Sequence, residues 1–62
     1  MTGLTPRELE IAALIGAGLD TEAIANELDI GYWSVKRYVK SIRAKLGVPR
    51  MQDIPRALTE RE

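Results

Sequence analysis

The 62-residue chain has no cysteine and no histidine. Disulfides are therefore excluded, and the usual thiolate and imidazole metal sites go with them, so neither a metal nor a cofactor is expected. A chain without cysteine fits a reducing cytoplasm, which is the expected location. The same gaps remove most nucleophile–base chemistry. Asp20 and Glu22 form the one local carboxylate cluster, and helix capping accounts for both, so the chain is not expected to be an enzyme. Gly16-Ala17-Gly18 follows a helical pattern, not a strand, and so does not read as a phosphate loop. No apolar run reaches the roughly 18 residues that a membrane-spanning helix needs. The N-terminal MTGLTPRELE lacks a basic start and a sustained apolar stretch, so it is not expected to be a signal peptide.

Aromatics are scarce and concentrated. Tyr32, Trp33 and Tyr38 are the full complement, and they fall within the stretch 31-GYWSVKRYVKSIRAKLGV-48. Five of the nine basic residues lie in the same stretch, Lys36, Arg37, Lys40, Arg43 and Lys45, and no acid interrupts them. Formal net charge is zero, but its distribution is uneven. Residues 1–30 carry Arg7 against six acids, a balance of −5; residues 31–50 carry six bases and no acid, +6; residues 51–62 carry two bases and three acids, −1. Such asymmetry is a better guide to partners than the total.

The chain is expected to form a single all-α domain over residues 1–62, a small three- to four-helix bundle. In LTPRELEIAALIGAG, Thr5 and Glu8 have capping-box spacing, Pro6 suits the first helical position, and Leu4 and Leu9 can form a hydrophobic staple. Gly18 offers a left-handed stop, so the first helix is predicted over about 6–17. Asp20 caps a second helix over about 21–28, with Glu22 in its first turn and a Leu19–Ile24 staple. Gly31 precedes a third helix over about 32–46, in which Val35, Val39, Ile42 and Leu46 form one apolar stripe and Gly47 is the stop. Only Asp29–Gly31 separates the second and third helices, and Ala25 is small enough for close approach, which together describe a helix-turn-helix. A short fourth helix over about 54–60, capped by Asp53, would present Ile54 and Leu58 as a tentative dimer surface. The tail TERE is expected to fray.

The stripe of the third helix fixes where its other side chains point. Lys36, Arg37, Lys40 and Arg43 face outward with Trp33, and Tyr38 flanks the stripe half-buried. An acid-free helix with cations on its outer face fits the major groove of duplex DNA, flanked as that groove is by phosphates. The plainer alternative is a solvated basic face. Tyr32 and Trp33 sit in the first turn and admit three placements: folded over Ile30 or the second helix, against sugar or a thymine methyl, or in a protein partner.

The segments LTPRELEIAALIGAGLDTEAIANELDI and SVKRYVKSIRAKLGV, spanning about residues 4–48, resemble a LuxR-type (GerE) DNA-binding domain. The resemblance implies a four-helix unit of the kind found at the C-terminal end of bacterial transcription regulators. The chain is expected to be either a complete, stand-alone miniature regulator or a fragment, and Met1 close before the first helix slightly favours the former. It implies that the third helix enters the major groove, with contacts from Lys36, Arg37 and Lys40, a phosphate facing Ser34, and a weak homodimer on DNA through the fourth helix. The chain departs from the family pattern at several positions. Asp20-Thr21-Glu22-Ala23 stands where Ser-Asn-Lys-Glu is common, leaving Thr21 as the phosphate donor at that point. Asp29 replaces a turn glycine, Tyr38 a frequent histidine and Met51 a frequent arginine, and Pro55 falls inside the usual fourth helix. A second family also fits the outline. The helix-turn-helix at the end of bacterial sigma factors binds promoter DNA and docks on RNA polymerase, so a protein-interaction module contacting polymerase or another regulator is the alternative reading.

Overall fold

Thr5 and Glu8 set the first helix by bonding one another. In the computed structural model, which describes residues 3–60, Glu8 N–H donates to Thr5 Oγ1 at 3.2 Å and Thr5 N–H donates to Glu8 Oε1 at 2.8 Å. Helix α1 follows over Pro6–Gly16, with Pro6 at its first position, where a missing N–H has no consequence. Leu9, one half of the expected staple, is half exposed, while Leu4 packs against the core. Helix α2 spans Thr21–Leu28 and is capped by the Asp20 carboxylate, which accepts from Ala23 N–H at 2.9 Å. Helix α3 spans Tyr32–Leu46, and a 3-10 turn at Met51–Asp53 leads directly into α4 at Ile54–Glu60. The described residues are thus all-α, with no strand among them.

The first three helices end in the same way. Leu19 N–H donates to Leu14 O, Ile30 N–H to Ala25 O and Val48 N–H to Arg43 O, each at 3.0–3.1 Å. These are the long bonds of Schellman ends, and each needs a residue at positive φ just before the donor. Gly18, Asp29 and Gly47 supply it at φ 96°, 54° and 71°. Asp29 is the one non-glycine at positive φ among the described residues, a conformation Asp adopts more readily than most side chains. The resulting three-residue turn makes α2 and α3 a helix-turn-helix.

Helix α3 is the central element, in contact with α1, α2 and α4. Its Val35, Val39, Ile42 and Leu46 meet Ile11, Ala12 and Ile15 of α1, Ile24 and Ala25 of α2, and Ile54 and Ala57 of α4 in one core. Full burial of each larger aliphatic side chain is worth about 1.5–3 kcal/mol, which is what holds so short a chain together. Tyr38 packs half-buried against this core.

Three expectations at the C-terminal end need correction. Ile54 is fully buried beneath α1 and α3 and has no surface to give a second copy; of the tentative dimer pair only half-buried Leu58 remains. Asp53 belongs to the 3-10 turn, with its carboxylate 3.3 Å from Arg50 Nε. Thr59 and Glu60, read as part of a fraying tail, complete the last turn of α4, while residues 61 and 62 of that tail lie outside the described residues.

Glu8 also does something its capping role did not announce. It is 3% exposed, and beyond the Thr5 bonds its carboxylate accepts from Ser41 Oγ at 2.6 Å and from Lys45 Nζ at 2.7 Å. The Lys45 bond, followed by that of Ser41, holds the Glu8 pKa down to about 2, against an opposing push from burial. A carboxyl whose folded pKa lies below its unfolded value adds stability above the unfolded pKa and loses it as pH falls through the folded one. Stability should therefore decline between about pH 4.5 and pH 2, by on the order of 2–3 kcal/mol from this group. Glu8→Gln should lower stability by a similar amount at neutral pH and flatten that acid limb. Urea midpoints across the pH range test this, and an unchanged acid limb in the variant would contradict it.

Candidate nucleic-acid interface

At 100° per residue, the core stripe of α3 occupies one side of the helix and Trp33, Arg37 and Lys40 occupy the opposite side. Ser34, Ser41 and Lys45 lie on the flank toward α1, and Lys36 and Arg43 on the flank toward α2. Trp33, Lys36, Arg37 and Lys40 are all exposed. With Arg43 they line one shallow concavity along the helix. Gly31 caps α3 without a side-chain bond, and its first turn carries no acid.

The cations divide into two groups. Lys45 is bonded to Glu8, Arg7 lies 3.9 Å from Glu10, Arg50 lies 3.3 Å from Asp53 and Arg56 lies 3.4 Å from Glu60. Arg43 does not extend outward as its helical position predicts. It is half-buried, its Nη1 donates to Pro49 O at 2.8 Å, and its buried Nε has no partner among the described residues. The cause is the chain reversal at Gly47, which brings the Pro49 carbonyl back across the last turn of α3. Among the described residues, Lys36, Arg37 and Lys40 have neither an ion pair nor a hydrogen bond. They share one helix surface.

The hydroxyl residues are placed differently. Ser34 is half-buried on the α1 side, where Thr5, Glu8, Arg37, Tyr38 and Ser41 line a second depression with it. Arg37 therefore stands between the two concavities. Thr21 is half-buried at the start of α2, with its hydroxyl 3.8 Å from Met51 Sδ. A thioether is a weak acceptor, so this contact leaves the hydroxyl available to a better one. Thr21, Lys36, Arg43 and Arg50 come together around a third depression beside the turn. Arg50 was not singled out from the sequence, because the loop that brings it there follows no periodic pattern.

Of the three placements open to Trp33, folding over the core is overturned. The ring is 73% exposed. Tyr32, 42% exposed, stands perpendicular to it with centroids 5.3 Å apart. Such an edge-to-face pair is worth about 0.5–1.5 kcal/mol, enough to bias the indole orientation but not to bury it. Emission from this sole tryptophan should be that of a water-exposed indole. Trp33→Ala should lower folding stability by no more than about 1.5 kcal/mol, the most that the ring pair with Tyr32 contributes. Blue-shifted emission, or a loss of several kcal/mol in urea unfolding, would contradict this.

The chain is similar in sequence to known proteins. The pattern of the family described as bacterial regulatory proteins, luxR family, matches residues 2–58. The HTH-type transcriptional regulator MalT of Klebsiella pneumoniae is 40% identical over 50 residues, covering 81% of this chain and 6% of that protein. The protein of the same name from Yersinia pestis is 38% identical over the same length, again 81% of this chain and 6% of its own. The chain thus spans about 6% of the length of the curated relatives it matches. No solved structure gives a match. With an all-α fold, a helix-turn-helix at α2–α3 and a family match over residues 2–58, the chain belongs to the luxR family of bacterial regulatory proteins, a family of DNA-binding transcription regulators.

Proposed function

We propose that the chain binds double-stranded DNA sequence-specifically, as a transcription regulator whose α3 reads the major groove. The observation that carries this reading is the trio Lys36, Arg37 and Lys40, unpaired on the exposed face of α3 while the other described cations have partners within the chain. A B-form major groove admits one α-helix, and the second helix of a helix-turn-helix is the one that enters it. Lys36 and Lys40 reach the flanking phosphates. Arg37, directly opposite the core stripe, reaches the base edges, where its fork can bond guanine O6 and N7 together.

Docking on RNA polymerase or on another regulator is the second reading. It is favoured by one observation, the exposure of Trp33, since aromatic anchors are enriched where proteins meet. Salt separates the two. The two lysines brought against phosphates give a log–log slope of affinity against salt of roughly −2 per monomer, whereas an aromatic-anchored protein contact responds little. A flat salt response, or no retardation of any duplex at low salt, would remove the DNA reading.

The three cations should also behave differently from one another. Arg37→Ala should flatten base preference at one position of the selected site, a loss of about 1–3 kcal/mol in discrimination. Lys40→Ala should weaken all duplexes alike and make the salt slope shallower by about one. Binding of a single-base substitution series by both variants measures this. Equal weakening of every duplex by Arg37→Ala would show that Arg37 touches the backbone instead.

A further inference from the structure

We infer that Trp33 reads thymine: its indole lies against the 5-methyl group of a thymine about two base pairs from the guanine contacted by Arg37. This rests on the major-groove reading above and adds a specificity-determining residue to it. The ring is the most exposed large apolar side chain described, at 73%, and among the described residues it lies outside the core cluster. Tyr32 restrains the ring from one side at 90° or close to it, with an interplanar angle of 89°, so the indole is presented in a limited range of orientations.

The surroundings of the ring identify its occupant. Trp33 shares its concavity with Lys36, Arg37, Lys40 and Arg43, and the whole of α3 carries no acid. Whatever covers the indole must offer an apolar group inside an anionic frame. On the major-groove edge of DNA one group meets that description, the thymine methyl, with phosphates on either side. The indole has a single N–H donor and no acceptor, and thymine supplies the matching O4 acceptor beside its methyl. Adenine N7 and guanine O6 and N7 could also accept from the indole N–H, but only thymine sets a methyl group beside its acceptor, so the methyl is what distinguishes it.

The spacing follows from helix geometry. Trp33 and Arg37 are one turn apart on one face, which places them about 6 Å apart along the axis at 1.5 Å per residue. Base pairs recur every 3.4 Å, so the two side chains address positions about two steps apart.

The test uses the 62-residue chain and a duplex selected from a random pool. Each thymine is replaced in turn by deoxyuridine, which removes one methyl and keeps the base pair. For the wild type, one such replacement, about two base pairs from the position where Arg37→Ala loses discrimination, should weaken binding about fourfold, the effect of one buried methyl. Trp33→Phe should keep that sensitivity and Trp33→Ala should lose it, with helix content by circular dichroism unchanged in both. Wild-type binding that is specific yet indifferent to deoxyuridine at every thymine would overturn the inference while leaving the DNA reading intact. Sensitivity that persists in Trp33→Ala would overturn it too, because another residue would then be reading the methyl. Failure to select any duplex would instead defeat the DNA reading itself.

Discussion

The buried carboxylate of Glu8 decides how α3 is turned. A carboxylate that is 4% exposed needs donors on both oxygens, because leaving a buried charge unpaired is among the costlier errors a fold can contain. Thr5 N–H and Lys45 serve Oε1 and Ser41 serves Oε2. Two of those donors belong to α3 and are one turn apart, so α1 grips α3 along a single flank. Arg43, on the other flank, is held by the Pro49 carbonyl. A helix fixed along both flanks, with its aliphatic stripe in the core, has no freedom to rotate about its axis. Trp33, Arg37 and Lys40 point outward as a consequence.

The same contacts explain how a chain of zero net charge presents a basic surface. Screening confines electrostatics to about 8–10 Å at ordinary ionic strength, so an approaching phosphate meets the nearest charges and not the total. The exposed pairs Arg7–Glu10, Arg50–Asp53 and Arg56–Glu60 contribute little to stability, as exposed pairs generally do. Their effect is to neutralise cations away from α3. Lys45 is neutralised by Glu8 inside the fold. Among the described residues, what remains is Lys36, Arg37 and Lys40 on a helix of fifteen residues without an acid. The local field belongs to α3 alone.

The sequence made the start and stop of each of the first three helices readable, because those devices are local. The capping box at Thr5 and Glu8, the Asp20 cap, and the left-handed positions at Gly18, Asp29 and Gly47 each need only residues a few places apart. The apolar stripe of α3 was readable for the same reason. The second role of Glu8 was not, since its partners Ser41 and Lys45 lie 33 and 37 residues away and only tertiary packing brings them together. Arg43 was misplaced because a helical wheel carries no information about the loop that returns across its end. Ile54 was misread as surface because a seven-residue helix interrupted by Pro55 is too short for periodicity to distinguish its buried side.

The fold accounts for every large apolar side chain of α3 except the pair Tyr32 and Trp33. Val35, Val39, Ile42 and Leu46 fill the core, Tyr38 closes its edge, and Ser41 and Lys45 satisfy Glu8. Trp33 contributes to none of these, lying with its larger part in water against Tyr32 alone. An exposed indole loses the hydrophobic gain that usually justifies so large a side chain, and it makes association with other surfaces easier. A lysine or glutamine at that position would cost the bundle only the ring contact with Tyr32 and would keep the chain more soluble. The reason for a tryptophan must therefore lie outside the fold, in whatever meets the face it shares with Arg37 and Lys40.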